Sequence, residues 1–478
     1  MWSFDAHPER IAAIDDSGAR VTRGQLAGLA EAVRGATFSV GGRQLVFCLC
    51  SNTLGSLAGY AAFVESRIVP LLLSSGLDHG LLGRLAELYR PAFLWAPEAL
   101  VGSLGEAAYT VGPPVLAEHG YALLRTRHEP VALHDDLALL LTTSGSTGSP
   151  HFVRLSYENV AANAASIVEY LGIGADERPI TTLPMEYSYG LSIINSHLRA
   201  GATVLVTSRA LVEKEFWAFL KRERATSFGG VPYTYGMLKR LRFTGMDLPS
   251  LRTMTQAGGR LAPELHRELA EHARASGRRF FVMYGQTEAT ARMSYLPPER
   301  SVEKCGSIGI AIPGGEFCLI DGHGGTITQP EVTGELVYRG PNVTLGYADS
   351  CDDLARGDDN GRELATGDMA RRDADGYYYI VGRKKRFIKI FGNRVNLDEI
   401  EQLIQSAFPG KECACVGRDD QVVIFLVDDQ AGAEVRRFIA GKTGLHPSAF
   451  QVTAIAAIPK SAAGKTLYAQ LETPLGGH

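Results

Sequence analysis

A hydroxyl-rich loop is the first segment whose residue types suggest chemistry. It reads Thr-Ser-Gly-Ser-Thr-Gly over 143–148 and follows an apolar run over 137–141. The glycines let the backbone turn tightly and expose its N–H groups, while the hydroxyls add donors that suit phosphate oxygens. A strand that leads into such a loop can hold a polyphosphate. No lysine follows the second glycine, so the loop is not of the Walker type. The predicted phosphate-binding residues are Thr143, Ser144, Gly145, Ser146, Thr147 and Gly148.

Two more segments combine glycine with groups that suit a nucleotide. Gly258 and Gly259 could let a planar base lie against the backbone. The run Tyr-Gly-Gln-Thr-Glu over 284–288 brings an aromatic ring, a hydroxyl and a carboxylate just past a predicted strand end, where open α/β sheets bind ligands. Taken singly, the two glycines are also explained by a tight turn before a helix, and the 284–288 run is also explained by a strand-to-helix turn with Glu288 at the helix N-terminus.

Two single side chains complete the candidate chemistry. Asp368, in Thr-Gly-Asp, carries a carboxylate that suits ribose hydroxyls, and Lys465 lies on a glycine-bearing segment near the C-terminus. Alone, they are equally well explained as a turn aspartate and a surface lysine. Their weight depends on the elements that position them and on the other segments.

Strand-like and helix-like segments alternate along the chain, which predicts an α/β architecture. Period-2 alternation at 316–320 and 334–339 predicts half-exposed strands of a small barrel-like subdomain. The predicted buried strands lie at 45–49, 137–142, 203–207 and 280–283, and the predicted amphipathic helices lie at 161–170, 213–222, 262–275 and 397–407.

The best candidate for a domain boundary is the basic run Gly-Arg-Lys-Lys-Arg over 382–386. Four consecutive cations are poor core material, so the run is either a solvated surface segment or a hinge beside an anionic ligand. The residues after it suffice for a compact α/β domain. We therefore predict an N-terminal domain over 1–382 and a C-terminal domain over 383–478.

The composition argues against several classes of protein. With 48 Lys and Arg against 52 Asp and Glu, the net charge is −4, so no basic field favours nucleic acid. Polar residues interrupt the most apolar window, 45–64, which predicts a buried strand and helix and no membrane span. The N-terminus lacks a secretory pattern, and the seven cysteines form no Cys-x-x-Cys pair. Reduced thiols and a cytoplasmic location are the expectation.

In this order and at these separations, the motifs resemble those of the adenylate-forming superfamily, which includes acyl-coenzyme A synthetases, adenylation domains of peptide synthetases and luciferase-like enzymes. The resemblance is carried by Thr-Ser-Gly-Ser-Thr-Gly (143–148), Tyr-Gly-Gln-Thr-Glu (284–288), Thr-Gly-Asp (366–368), Gly-Arg (382–383) leading into Gly392 and Asp398-Glu399-Ile400-Glu401, and Gly-Lys (464–465). It implies an α/β fold: a large N-terminal domain of stacked α/β subdomains plus a small barrel-like β subdomain, and a small C-terminal α/β domain on a hinge.

The resemblance also implies an activity. Such enzymes join a carboxylate to ATP, release pyrophosphate and pass the acyl group to a nucleophile, usually a phosphopantetheine thiol. ATP and Mg²⁺ are the implied cofactors, and a carrier protein or coenzyme A is the implied acceptor. By analogy, the 143–148 loop holds the β- and γ-phosphates. Adenine would lie between Gly258 and Gly259 on one side and Tyr284, Gly285 and Gln286 on the other, and Asp368 and Arg383 would bind the ribose. The implied catalytic residues are Thr287, which would contact the α-phosphate, Glu288, which would hold Mg²⁺, and Lys465, which would contact the substrate carboxylate and the α-phosphate.

The same resemblance gives the basic run a role. In the family the C-terminal domain swings between the two half-reactions, and Lys385 falls at the pivot position. Rotation would withdraw Lys465 and bring the face with Lys389 and Gly392 to the site, where the thiol enters.

The end of the phosphate loop departs from the family pattern. The family's loop usually ends Pro-Lys-Gly, whereas here Pro150 is followed by His151 and Phe152. A neutral histidine is a weaker phosphate partner than lysine. Arg154 is the nearby cation that we expect to compensate.

The segment Leu-Pro-Met-Glu-Tyr-Ser-Tyr-Gly, 183–190, holds the candidate substrate pocket, together with Gly259. Many acyl-activating relatives line the acyl pocket at the position of Tyr187. Amino-acid-activating relatives carry an Asp close to Glu186, which pairs with the substrate ammonium. Whether Glu186 faces the pocket or points outward is open from the sequence.

The sequence thus predicts an ATP-dependent adenylate-forming ligase acting on a small or medium carboxylic acid, with a carrier protein or coenzyme A as acceptor. One alternative is an amino-acid-adenylating enzyme that loads a carrier protein and binds the ammonium with Glu186. The other is a catalytically silent nucleotide-binding protein; Glu288 and Lys465 argue against it, and His151 argues weakly for it.

Overall fold

The computed structural model describes residues 2, 4–106, 109–142, 151–390, 393–418, 421–427, 430–460 and 466–472 of the 478-residue chain. The chain separates into two compact units. The first comprises Met1–Glu316 and Arg339–Leu364, and the second comprises Phe317–Tyr338 and Ala365–His478. This division follows compactness alone; the predicted hinge at 382–383 concerns a movement and stays a prediction.

Helices and strands alternate over most of the described residues. The α-helices are α1 Arg23–Thr37, α2 Leu54–Glu65, α3 His79–Tyr89, α4 Val101–Glu106, α5 Tyr157–Leu171, α6 Ser188–Ala200, α7 Lys214–Arg222, α8 Pro232–Arg240, α9 Pro263–Ala275, α10 Leu397–Ala407, α11 Gly432–Thr443 and α12 Tyr468–Glu472. The β-strands are β1 Ile11–Asp15, β2 Arg20–Thr22, β3 Leu45–Cys50, β4 Val69–Ser74, β5 Phe93–Pro97, β6 Leu116–Glu118, β7 Tyr121–Arg125, β8 Leu137–Thr142, β9 Phe152–Ser156, β10 Pro179–Ile180, β11 Val204–Val206, β12 Ser227–Gly230, β13 Thr253–Gln256, β14 Arg279–Tyr284, β15 Ser294–Leu296, β16 Ile310–Ala311, β17 Glu316–Ile320, β18 Thr326–Ile327, β19 Gly334–Arg339, β20 Gly346–Ala348, β21 Glu363–Arg372, β22 Tyr378–Arg383, β23 Phe387–Ile390, β24 Asn393–Asn396, β25 Cys413–Arg418, β26 Gln421–Leu426 and β27 Phe450–Ala454.

Two large sheets form the first unit. One has nine strands in the order β16-β15-β14-β13-β12-β10-β11-β1-β2, and the other has eight in the order β20-β9-β8-β4-β3-β5-β7-β6. The neighbours β12, β13 and β14 are parallel. Because parallel neighbours end at the same edge of a sheet, the turns after these three strands lie side by side.

The apolar window predicted as a buried strand and helix forms β3 and α2. Thr53 caps α2 by accepting a hydrogen bond from the Ser56 N–H. The helix is buried on nearly every face, and a Cβ on Gly59 would lie 2.1 Å from Trp95 Nε1. The small residues of α2 therefore allow the close packing that an ordinary amphipathic helix would not need. No helix in the described part of the chain is long and apolar enough to cross a membrane.

The second unit contains three smaller sheets. These are a five-stranded sheet in the order β18-β17-β19-β21-β22, the β23–β24 pair and a three-stranded sheet in the order β25-β26-β27. Apolar residues of α10, α11, β25 and β26 form a core cluster in this unit. Strands β21 and β22 are antiparallel, with Asp368 opposite Arg383 in the ladder.

The predicted α/β class is confirmed, and several predicted elements have the observed bounds, including the strand at 137–142 and the helix at 397–407. The basic run is a partial correction. Arg383 is exposed, but the side chain of Arg386 is only 11% exposed and donates to Asp398 and Glu401, at 2.6 and 2.5 Å. Two carboxylates compensate the desolvation of this guanidinium, so one of the four cations is core material after all.

Candidate active site

The turn after β14 holds the predicted Tyr-Gly-Gln-Thr-Glu residues in a tightly fixed conformation. The Met293 N–H donates to the Tyr284 carbonyl at 2.9 Å, and the Ala291 N–H donates to the Gln286 carbonyl at 3.1 Å. A Cβ on Gly285 would lie 1.7 Å from the Ala291 carbonyl oxygen, so only glycine fits there. The side-chain amide of Gln286 donates to the Tyr284 hydroxyl at 3.2 Å, which restrains the half-exposed Tyr284 side chain.

Glu288 lies on this turn with one oxygen engaged. The Tyr347 hydroxyl donates to Glu288 Oε1 at 2.7 Å, and the Thr344 N–H donates to the Glu288 carbonyl at 3.0 Å. Burial, and then the charge of Glu288, raise the pKa of Tyr347, so its hydroxyl keeps the donated proton. The second carboxylate oxygen accepts no hydrogen bond from the described residues and is available to a cation.

Thr287 meets the start of α6. Its Oγ1 lies 3.0 Å from Oγ of Ser188, the first residue of that helix. The positive end of the helix dipole therefore lies beside the Thr287 hydroxyl. The spacing of the motifs did not single out Ser188 or Tyr347, because each is placed by contacts over 50 residues away in sequence.

The glycines after β13 lie on the neighbouring strand end. Gly258 has φ +81°, and a Cβ there would lie 2.6 Å from the Tyr187 hydroxyl. A Cβ on Gly259 would lie 3.2 Å from Pro232 Cγ. Burial raises the pKa of Tyr187 to about 12, so its hydroxyl is neutral at physiological pH. Tyr187 thus lies against the turn that was predicted to line the nucleotide and the acyl pocket.

Glu186 does not point outward into solvent. Its Oε2 is buried and accepts no hydrogen bond from the described residues, and burial raises the pKa of its carboxyl. The charge of Glu186 contributes, after burial, to the raised pKa of the Cys50 thiol on β3. Glu186 therefore lies near Cys50 in the eight-stranded sheet, whereas the neighbouring Tyr187 reaches Gly258.

The two residues considered for the end of the phosphate loop have other partners. His151 is exposed and pairs with Asp349. Arg154 is fully buried, forms an ion pair of 2.5 Å with Asp359 and donates to backbone carbonyls including that of Leu345, at 2.9 Å. The expectation that Arg154 compensates for the missing lysine is wrong, because its guanidinium is committed inside the fold.

In the second unit, the two predicted ribose-binding residues, Asp368 and Arg383, lie side by side. They are opposite each other in the β21–β22 ladder, and Arg383 Nε lies 3.5 Å from Asp368 Oδ1. Asp368 is buried, whereas the Arg383 side chain is 65% exposed. One carboxylate and one exposed cation are thus presented together at the end of this ladder.

Several predicted residues lie outside the described part of the chain. They are Thr143, Ser144, Gly145, Ser146, Thr147, Gly148, Gly392 and Lys465. For Lys385 and Lys389 only the backbone is described, in the 3₁₀ turn Lys384–Arg386 and in β23. The segment that contains Lys465 is flanked by an antiparallel bridge between Lys460 and Thr466.

Comparison with known proteins decides the family. The family model described as AMP-binding enzyme matches residues 2–348. The chain belongs to this family. Indoleacetate–CoA ligase of Aromatoleum aromaticum is 32% identical over 340 residues, which cover 68% of this chain and 65% of that protein. Oxalate–CoA ligase of Arabidopsis thaliana is 32% identical over 56% of this chain and 52% of its own length. The matched region thus spans between half and two thirds of these relatives.

The fold is that of known family structures. The structure of O-succinylbenzoate coenzyme A synthetase from Bacillus subtilis, in complex with ATP and magnesium ion, superposes with a TM-score of 0.77 at 24% identity and covers 98% of each chain. The predicted membership of the adenylate-forming superfamily and the predicted fold class are therefore confirmed.

Proposed function

We propose that this protein is an ATP-dependent ligase that activates a carboxylic acid as an acyl-adenylate and transfers the acyl group to a phosphopantetheine thiol. The observation that carries the proposal is the convergence, at one sheet edge, of the Thr287 hydroxyl, the start of α6 and the Glu288 carboxylate. Hydroxyl donors, a helix N-terminus and a carboxylate for a cation are what a reacting triphosphate requires.

In the first step, an oxygen of the acid attacks the α-phosphorus, the bond to the pyrophosphate oxygen breaks, and pyrophosphate leaves. Both reactants are anions, so the barrier is electrostatic and positional. Thr287 would bond the α-phosphate, the loop at 143–148 would hold the β- and γ-phosphates, and Lys465 would bridge the carboxylate and the α-phosphate. Tyr284, with Gly285 and Gln286, would hold adenine against Gly258 and Gly259, and Asp368 and Arg383 would bond the ribose.

The Glu288 side chain fits a magnesium ion. Mg²⁺ is commonly held by one or two carboxylates together with substrate phosphates, and Glu288 offers an oxygen that no described residue uses. Tyr347 holds the other oxygen and so fixes the direction of the carboxylate. Bound there, the ion would screen the charge of the phosphate oxygens.

In the second step, the thiol sulfur attacks the acyl carbon, the bond to the AMP oxygen breaks, and the thiol proton is released. We propose that rotation about Lys385 exchanges Lys465 for the face with Lys389 and Gly392 between the two steps. The domains would then be 1–382 and 383–478. Coenzyme A is the acceptor that the named relatives favour, and a carrier protein is the alternative. Use of ATP and coenzyme A goes with a cytoplasmic location.

Pyrophosphate release measured across a panel of acyl and amino acids tests the proposal. We expect release with at least one carboxylic acid, and thioester formation when coenzyme A or a phosphopantetheinylated carrier protein is added. Release with amino acids only, abolished by Glu186→Gln, would favour the amino-acid alternative. No release with any acid, while the protein still binds ATP, would favour the silent nucleotide-binding alternative.

A further inference from the structure

A small cavity in the first unit lies between α6 and the nine-stranded sheet, with room for about one or two water molecules. Ile193 and His197, one turn apart on α6, form part of its wall, and Gly229 on β12 forms another part. A Cβ on Gly229 would lie 2.6 Å from Ile193 Cδ1 and 3.0 Å from the Tyr189 hydroxyl. Ile193 and Tyr189 therefore pack directly against the Gly229 backbone, and a larger residue at 229 would have to displace them.

A buried guanidinium lines this cavity without a carboxylate partner. Arg292 is 2% exposed and forms no ion pair with an acidic side chain in the described part of the chain. Its Nε donates to Ser192 Oγ at 3.0 Å, and one terminal nitrogen contacts the Tyr170 hydroxyl at 3.1 Å and Met283 Sδ at 3.2 Å. The Tyr189 ring, whose centre lies 5.0 Å from the guanidinium carbon, adds a cation–π contact. None of these partners is an anion, so an anion at the cavity would be favoured.

The other charged groups of the cavity are either paired or reached by solvent. Glu177 forms a 3.4 Å ion pair with Arg252 and accepts a hydrogen bond from the Thr226 hydroxyl. Arg279 is partly exposed, and its two terminal nitrogens donate to the Leu171 carbonyl and to Thr253 Oγ1, each at 2.8 Å. Arg279 likewise has no acidic partner among the described residues, but solvent reaches it, which leaves Arg292 as the buried cation without an anion.

The neutral groups of the cavity add a donor and an acceptor. His197 Nδ1 lies 2.8 Å from the Ile193 carbonyl, which can only accept, so the imidazole is the Nδ1–H tautomer and Nε2 is an acceptor. Burial lowers the pKa of His197 to about 4, so it adds no positive charge at neutral pH. Ser227 Oγ is buried with no hydrogen-bond partner in the described part of the chain.

Helix α6 sets the distance between Arg292 and the proposed reaction centre. Ser188 contacts Thr287, and Ser192, one turn later, accepts the hydrogen bond from Arg292. Four residues of α-helix advance by about 6 Å. An acid whose reacting carboxylate lies at Thr287 would therefore place its far end at Arg292 if it is about that long.

We propose that Arg292 binds a second anionic group at the far end of the acid, so that the substrates are short acids with two acidic groups. This inference rests on the proposed function and names its substrate class. A distal carboxylate can accept two hydrogen bonds from a guanidinium, which a distal methyl or hydrogen cannot do.

Matched pairs of acids test this inference through kcat/KM for pyrophosphate release. We compare benzoate with terephthalate and hexanoate with adipate, because each pair differs in the distal carboxylate. We expect the wild-type protein to prefer the diacid at least about tenfold in one pair. Arg292→Met should lower kcat/KM for that diacid on the order of 10²-fold and hold the monoacid within about threefold. Arg292→Lys should be intermediate, since it keeps the charge and loses the fork.

Arg279→Met is the matched control, because it removes another arginine of the same cavity and should leave the preference unchanged. Should Arg292→Met not fold, thermal protection of the wild-type protein by the diacid and by its monoacid partner gives the answer without a variant. Wild-type preference for the monoacid in both pairs, or a diacid preference that survives in Arg292→Met, overturns the inference and leaves the proposed function standing. Absence of pyrophosphate release with every acid overturns the proposed function itself.

Discussion

The contact between Gly258 and Tyr187 allows a sharp test of the candidate active site by Gly258→Ala. With φ +81°, an L-residue at 258 costs about 1–2 kcal/mol of backbone strain. The added Cβ would also lie 2.6 Å from the Tyr187 hydroxyl, where ordinary contact begins at 3.4 Å, so Tyr187 or the turn must move by most of an ångström. Displacements of about 1 Å at a reacting site cost on the order of 10²-fold in rate. We expect that loss in kcat/KM for ATP–pyrophosphate exchange.

A second substitution separates the two causes. In Tyr187→Phe/Gly258→Ala the clashing hydroxyl is gone, and the next ring atom, Cζ, is 3.7 Å from the Cβ position. We expect the double variant to recover about tenfold over Gly258→Ala, because only the backbone strain and the 3.0 Å contact with Val231 Cγ1 remain.

The control is Gly277→Ala, at φ +66° with no atom within 4 Å of the added Cβ. It carries the backbone strain alone and should lower the melting temperature without changing exchange more than about threefold. Equal activity of Gly258→Ala and the double variant would refute the reasoning, since the position of Tyr187 would then have no bearing on the reaction.

Four further predictions concern other residues. Lys465→Ala should lower the rate of adenylation on the order of 10²-fold or more, as expected for a charge-stabilising donor. Lys460→Ala, which removes the exposed ion pair with Glu412, should change it little. ATP–pyrophosphate exchange at the wild-type rate in Lys465→Ala would defeat the catalytic role of Lys465. Lys385→Pro should spare adenylation and impair thioester formation, and equal loss of both steps would argue against the pivot. Tyr347→Phe should raise the Mg²⁺ concentration for half-maximal ATP–pyrophosphate exchange about tenfold, because it removes the hydrogen bond to Glu288. Tyr109→Phe, which removes an equally short 2.7 Å hydrogen bond to the His79 carbonyl, should not change it. An unchanged Mg²⁺ requirement in Tyr347→Phe would show that Tyr347 does not support the site. Burial lowers the pKa of His197 and His266 to about 4, so between about pH 6.5 and 4 the unfolded chain binds more protons than the folded one, and the free energy of unfolding should fall as the pH drops. In denaturant titrations, His266→Gln should make the free energy of unfolding depend less on pH, whereas His323→Gln, at an exposed position, should not. An unchanged pH dependence in His266→Gln would count against a neutral buried imidazole.

Local pattern predicted the elements better than it predicted the partners of charged residues. The strand at 137–142 and the helix at 397–407 follow from apolar period and length, which the chain fixes within a few residues. Asp368 and Arg383 lie together because a single antiparallel turn joins their strands, and ribose binding by the two stays a prediction. In contrast, Arg154 forms its ion pair with Asp359, 205 residues away. No local pattern contains that information.

The burial of two arginines is the clearest case of a feature that could not be predicted from the sequence. Arg386 stands in a run of cations that is typical of a surface, and Arg292 follows the Tyr-Gly-Gln-Thr-Glu motif without being part of it. Whether a guanidinium can be buried depends on acceptors that other elements supply: Asp398 and Glu401 for Arg386, and Ser192 with Tyr170 for Arg292. Tertiary structure decides such contacts, so periodicity cannot reveal them.

In the proposed arrangement, helix α6 fixes the distance between the two ends of the bound acid. Each residue turns the helix by about 100°, so deleting one residue between Ser188 and Ser192 would swing Ile193 and His197 away from their cavity and bring other side chains into it. Insertions and deletions there would change which side chains face the cavity and would not simply lengthen the site. New acid lengths are therefore accessible to this scaffold by exchanging single side chains one turn apart, and engineering of its selectivity should begin with libraries at 189, 193 and 197.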